Sequence, residues 1–310
     1  MSKVVITSTS KNFTDKDVHD AVKRAFDLLD YDYPEKVDTI VIKANLCYYW
    51  DYSTGETTDP RVISAIIDYL RAKFGEEVNI SVAEADASAM KTQHAFKILG
   101  YNKLCQEKNV KLVNLAEGEI IEKQTQVKNK AVTLPVNKIL LESDLVISVP
   151  KLKNHSLVGV TCSLKNMFGA ISKPRKFSYH PNLDATIVGI NKMVKTDICI
   201  VDGLIISGKY PKRMGIILAG DDVVATDFVA AKIAGFNPKS VGHMKLAAEE
   251  KVGDVDNITV IEDNTSVEEV KKLFPHSSLL LHNISWGLQL RLLSLYFKLS
   301  GDVCPSFLKN

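Results

Sequence analysis

Cysteine is scarce: five in 310 residues, Cys47, Cys105, Cys162, Cys199 and Cys304, with no C-x-x-C pair and no Cys/His spacing that closes on zinc or an iron–sulfur cluster. A scattered, odd-numbered set is what reduced thiols in a cytoplasmic protein look like. Long apolar runs are also missing. No 18-residue uninterrupted apolar stretch occurs, so an ordinary transmembrane helix is not expected. The opening MSKVVITSTSKNFTDKD has no apolar segment of signal-peptide type and reads as a first strand followed by a helix start. Excess charge of one sign is absent too, since 39 Lys and Arg face 37 Asp and Glu for a formal +2. A protein that binds nucleic acid with its whole surface is thereby excluded, and any electrostatic argument must be local. Glycine (16) and proline (10) are too few for a collagenous or low-complexity chain.

What the chain does have is a recurrence of short Val/Ile-rich runs: VVIT from Val4, TIVIKANL from Thr39, NISVAEA from Asn79, KLVNL from Lys111, DLVISVP from Asp144, ICIVDGL from Ile198, GIILAGDD from Gly215 and ITVIED from Ile258. They are continuously apolar, the pattern of strands covered on both faces. Helical segments lie between them. Thr14 stands at capping spacing from Asp17, and Asp59-Pro60 supplies a cap and a first-turn proline. Alternation of this kind predicts an α/β fold, Rossmann-like, with a mostly parallel sheet flanked by helices and room for a second lobe. Residues 116–138 are polar and alternate in places, which predicts an inserted hairpin or an excursion rather than a core helix. Residues 1–276 form the α/β unit on this reading, and 277–310 a tail. Within the tail, 283–299 carries apolar rows at helical spacing, expected to dock on the domain, at a dimer contact or on a membrane surface.

Chemistry in such sheets collects beyond the carboxyl ends of strands. The run Lys151 to His180 begins there, after DLVISVP. It holds six cations (Lys151, Lys153, Lys165, Lys173, Arg175, Lys176), two histidines and no acid. If the chain stays extended past Pro150, Lys151, Lys153 and His155 point to one side as a cationic comb. TCSLKNMFGAI then predicts a short helix whose N-terminal amides add positive potential, with Lys165 and Asn166 completing an anion pocket. A solvated basic face is the plainer alternative.

Lys43 in IKANL, a lysine at the end of an apolar strand, must reach solvent, a carboxylate or an anionic ligand. Tyr48, Tyr49 and Trp50 follow as a pocket wall or a sheet-edge cover. Glu84 and Asp86 leave a strand end two residues apart and suit metal binding, general-base work or, as the plainer reading, capping or ion pairing. GLIISGKY matches seven positions of the phosphate-loop pattern, but Tyr210 replaces the magnesium-binding hydroxyl, so a nucleotide loop is not expected; Asp202 remains a site wall. Asp227 reads as structural, and His243 as a packing or capping residue. Cys47 and Cys162 lie near enough to cations for thiolate chemistry, against burial as the commoner state of a free cysteine.

IKANL, TTDP, AEADA, SDLVISVPKLKNH, SLKNMFG, His180, VDGL and LAGDDVVATDFVAAKIAG occur in an order that resembles the domain-of-unknown-function 362 family over about residues 38–262. Ala44 departs from the K-P-N-L usual in that family. The ferredoxin-like cluster domain carried by many members has no counterpart here, so their iron–sulfur chemistry does not transfer. The resemblance implies a common pocket for Lys43, Lys151, Lys153, His155, Lys165, Asn166 and His180. On these grounds the expected site comprises His155, His180 and Lys165 as catalytic groups and Lys43, Asn45, Lys151, Lys153, Asn166 and Asp202 as substrate-binding groups, with no metal ligand and no cofactor identified. The expected function is an enzyme acting on a phosphorylated or carboxylated small molecule. The alternatives are an accessory protein for a separate iron–sulfur redox partner and a membrane-surface module.

Overall fold

The computed structural model describes residues 1–275 except 11, 89, 156 and 157, so the tail reading over 283–299 lies outside the described residues. In chain order the elements are β1 (Ser2–Ser8), α1 (Asp15–Leu29), β2 (Thr39–Ala44), α2 (Pro60–Phe74), β3 (Asn79–Glu84), α3 (Thr92–Ile98), α4 (Tyr101–Glu107), β4 (Lys111–Asn114), β5 (Ile120–Val127), β6 (Lys130–Asn137), α5 (Ile139–Glu142), β7 (Leu145–Val149), β8 (Lys151–His155), β9 (Gly159–Thr161), α6 (Ser163–Phe168), α7 (Leu183–Met193), β10 (Ile198–Ser207), β11 (Pro211–Gly220), α8 (Val223–Ile233), α9 (Gly242–Glu249), β12 (Ile258–Glu262) and α10 (Val267–Leu273).

The central sheet runs β12-β1-β11-β10-β7-β2-β3-β4, with β8 on β10 and β9 on β8. Its pairs are parallel except those made by β11, which is antiparallel to both β1 and β10, and the β8–β9 pair. Alternate residues of each central strand feed two separate cores, as period-2 geometry requires. Val41, Val146, Cys199 and Val201 pack on one face with α6 to α10, while Ile40, Ile42, Leu145, Ile147 and Ile200 pack on the other with α1 to α4. Each strand is therefore apolar throughout because both of its faces are covered. The predicted α/β architecture with a mostly parallel, helix-flanked sheet is the one observed.

Local signals fix the element ends. Thr14 and Asp17 form a reciprocal capping box on α1, and Asp59 caps α2 through Arg61 N. The polar stretch read as a hairpin or an excursion is a hairpin, β5–β6, paired Ile120↔Asn137 to Val127↔Lys130 and laid against α7. GLIISGKY turns out to be the end of β10 and the turn into β11, Ser207 pairing Pro211; no helix follows Lys209, so the phosphate-loop geometry cannot form. Helix α4 lacks a side-chain cap and starts at Gly100, in the left-handed region at φ 82°, which explains why no signal foretold it.

Candidate functional site

β2 is an interior strand of the sheet, between β7 and β3. The parallel register sets Lys43 beside Ala83 of β3 and Ser148 of β7. Glu84, the next residue of β3, therefore reaches Lys43 just past the strand ends. Their contact is 2.7 Å, and the Lys43 ammonium also donates to Ala44 O (2.7 Å) and Asn166 Oδ1 (3.3 Å). Glu84 in turn accepts from Leu46 N and Ala85 N, both at 2.9 Å. Asn166 donates to Lys43 O and Ser148 Oγ, each at 3.0 Å. With Lys43 at 0% and Glu84 at 3% exposure, this is a neutralised buried pair whose hydrogen bonds are filled. Burial lowers the Lys43 ammonium from its ordinary value and the Glu84 carboxylate opposes that shift. Gly169 covers the pair so closely that a Cβ there would lie 3.1 Å from Lys43 Nζ and 3.3 Å from Glu84 Oε1.

After β7, Pro150 O accepts from Asp202 N (2.9 Å) and the chain moves over to pair with β10, Lys151 against Asp202. Here the expected comb divides. Lys151 Nζ meets Asp202 Oδ2 at 2.8 Å, both side chains at zero exposure, and neither belongs to the cleft described below. Asp202 also accepts from Asp59 N (2.7 Å) and Leu204 N (3.0 Å), while Arg61 holds Asp59 in a fork. Burial raises the Asp202 carboxyl despite the Lys151 charge beside it. These two residues fasten β8, β10 and the start of α2 to one another. Asn45 accepts from Lys151 N (3.3 Å) and faces the cleft. Lys153 points into the cleft as expected, yet Glu56 takes its charge at 3.1 Å and Glu56 O a hydrogen bond at 2.7 Å.

The expected amide site at the start of α6 is occupied. Asp227 of α8, fully buried, accepts from Ser163 N at 2.7 Å and Leu164 N at 3.0 Å, so those amides are spent within the protein. Burial raises the Asp227 carboxyl to about 7. The structural reading of Asp227 thus gains a definite partner, the α6 N-terminus rather than its own helix. Cys162 is buried, and burial raises its thiol well above the ordinary value, which removes it as a nucleophile.

A cleft of about 890 Å³ opens over these strand ends, large enough for a metabolite-sized ligand. Seven expected residues meet in its lining: Lys43, Asn45, Lys153, His155, Lys165, Asn166 and His180. Lys176 and Lys209 join them, against Glu56 and Glu84 as the carboxylates. Since Glu84 and Glu56 are engaged by Lys43 and Lys153, the lining keeps uncompensated positive charge. Lys165, partly buried, meets no carboxylate and no hydrogen-bond acceptor among the described residues; its ammonium lies 4.3 Å from the Phe168 ring centre. Burial, with Lys153 and Lys43 adding repulsion, lowers it to about 8. Among the described residues Lys176, 6% exposed, donates only to Asp86 O (2.5 Å), and burial lowers it to about 7. Its role was not singled out by sequence reasoning, because it sits in a 3-10 turn over Lys176–Asn182 with no periodic signal.

Both cleft histidines are neutral at physiological pH. Burial, then the Lys165 charge, lowers His180 to about 4; His155 is pushed well below its ordinary range by burial and then by Lys165 and Lys153. His180 is stacked on Phe177 (4.4 Å) and edge-on to Phe168 (5.8 Å), with Nδ1 3.3 Å from Lys176 O. His243 packs as expected, buried on α9, and does not cap, for neither ring nitrogen has a partner among the described residues. Of the aromatics after Lys43, Tyr48 lines the cleft, Tyr49 accepts from Lys91 N, and Trp50 is 56% exposed. Cys47 lines the cleft as well. Among the described residues no cluster of three His, Cys, Asp or Glu side chains could hold a metal ion.

Fold and site together define an α/β protein with a lysine- and histidine-lined cleft at the carboxyl edge of its sheet. Residues 40–232 match the family described as a domain of unknown function (DUF362), and the chain belongs to that family. A thylakoid-associated protein of Synechocystis sp. is 26% identical over 230 residues, covering 70% of this chain and 68% of the relative. Among solved structures, the lactate racemase apoprotein of Thermoanaerobacterium thermosaccharolyticum is similar at a TM-score of 0.45 and 13% identity, covering 79% of this chain and 56% of that one. A Thermotoga maritima protein is similar at a TM-score of 0.42 and 11% identity, covering 78% and 61%. The chain thus spans less than two thirds of either solved structure. No helix among the described residues is long and apolar enough to cross a membrane.

Proposed function

We propose that the cleft binds a small anionic molecule, phosphorylated or carboxylated, and that the protein is an enzyme acting on it. One observation carries the reading: among the described residues Lys165 and Lys176 face an 890 Å³ cleft without a carboxylate partner, whereas Lys43, Lys151 and Lys153 each have one. Holding two ammonium groups there lowers their proton affinity, and an anion between them repays that cost. His155 and His180, held neutral by burial and the lysine charges, are bases for a substrate proton; an anion nearby raises them toward the range in which they also return it.

Thermal shift with malonate and inorganic phosphate tests the reading. The wild type is expected to gain stability with each added anion, and the Lys165→Ala, Lys176→Met double variant to gain none. Equal gains in both proteins would refute it. A second reading, attachment to a membrane surface from the cytoplasmic side, draws support from the thylakoid-associated relative and from the apolar pattern over 283–299. Flotation with anionic liposomes, comparing the full chain with one ending at residue 276, decides it: loss of flotation on truncation supports attachment, and no flotation by either protein refutes it.

A further inference from the structure

Lysines surround this cleft, and Lys165 has the surroundings of a nucleophile. Lys43 is held by Glu84, Ala44 O and Asn166; Lys153 by Glu56; Lys176 by Asp86 O. Lys165 Nζ has no acceptor among the described residues and rests on the Phe168 ring, whose edge-on partner is His180. The amine and a neutral imidazole are therefore packed on one aromatic ring at the wall of an open cavity. An amine attacks a carbonyl only with its lone pair free, and a lysine engaged by a carboxylate is protonated and unreactive.

We propose that Lys165 forms an imine with the carbonyl group of a small 2-oxo acid or other anionic carbonyl compound. This rests on the anion-binding reading and names the substrate class. With the anionic group of the substrate held by the Lys176 ammonium, the neutral fraction of Lys165 adds to the carbonyl carbon, and the proton it releases passes through the His180 imidazole to the oxygen, giving a carbinolamine. A second proton, taken from solvent through the His180 imidazole, lets that hydroxyl leave as water, and the nitrogen lone pair closes the double bond to give a protonated iminium on Lys165. The iminium keeps the positive charge, so the carboxylate or phosphate of the substrate stays paired, with Lys176 as its second contact. The same charge makes the iminium an electron sink for a bond adjacent to the former carbonyl carbon. The lowering of Lys165 to about 8, caused first by burial, leaves a usable fraction of free amine near neutral pH.

The full chain is incubated with glyoxylate and sodium cyanoborohydride, which reduces an iminium to a secondary amine by adding one hydride. Peptide mapping is expected to find one carboxymethyl group per chain on Lys165, formed with an apparent midpoint near pH 8 and several-fold faster than on exposed lysines such as Lys16 and Lys103. Lys165→Arg, checked for native circular dichroism, is expected to lose that adduct. Labelling spread over surface lysines, or a Lys165 rate no faster than theirs, overturns the proposal. The malonate thermal shift of the wild type separates the two ideas: a shift without Lys165 labelling sinks the imine alone, and the absence of both sinks the anion reading with it.

Discussion

Anion binding in this cleft must take up protons. Burial, the first cause in each case, lowers Lys165 to about 8 and Lys176 to about 7 from an ordinary 10.5. At pH 8 Lys165 is then about half protonated and Lys176 about one-tenth. A dianion between them restores both to full protonation, an uptake of about 1.4 protons; at pH 7 the same reasoning gives about 0.6. Averaged over the interval this is about one proton, so affinity for malonate, ionised at both values, falls about tenfold from pH 7 to pH 8. Isothermal titration in Tris and in HEPES reads the linkage directly, because the two buffers release protons with different heats. The expected result is a buffer-dependent enthalpy whose slope approaches 1.4 protons at pH 8, and about half a proton in Lys176→Met. An affinity unchanged between pH 7 and pH 8, with no buffer dependence, would refute the placement of uncompensated lysines in the cleft.

Other predictions concern the framework beneath it. Lys151→Ala leaves Asp202 buried and unpaired and is expected to cost about 3–5 kcal/mol in urea unfolding, while Lys151→Met with Asp202→Asn, which removes both charges and keeps one acceptor for Asp59 N and Leu204 N, costs less; a single-variant cost below about 1 kcal/mol would contradict the pairing. Asp227→Ala strips Ser163 N and Leu164 N of their acceptor and should destabilise by about 1–3 kcal/mol, whereas Asp227→Asn keeps one acceptor and costs less. Gly169→Ala pushes on Lys43 and Glu84 and should lose about 1–3 kcal/mol along with part of the malonate response. Because Lys176 is lowered on folding, holding it charged penalises the fold below about pH 7, and the penalty fades as pH rises from about 7 to 10.5. The stability of Lys176→Met relative to wild type should therefore be most favourable near pH 6 and decline toward pH 10.

Strands, most helices and the β5–β6 hairpin were legible because each depends on local pattern: two covered faces make a strand wholly apolar, and Thr14 or Asp59 at a helix start is a cap whatever surrounds it. That the basic run would gather at strand ends was legible from Pro150 closing DLVISVP. What sequence could not show is which lysines are neutralised. Glu84 meets Lys43, and Asp202 meets Lys151, through strand register, which brings together residues with no sequence relation. Asp227 takes the α6 amides in the same non-local way, turning an expected anion site into a structural joint. Lys176 was hidden for the opposite reason: it was counted in the basic run, but nothing local distinguishes it from Lys173 or Arg175.

The most direct test is diffraction from crystals soaked in selenate, recorded at the selenium edge. An anomalous peak within hydrogen-bonding reach of both Lys165 Nζ and Lys176 Nζ is the expected result. Peaks confined to surface lysines, with water alone between those two side chains, would contradict the account.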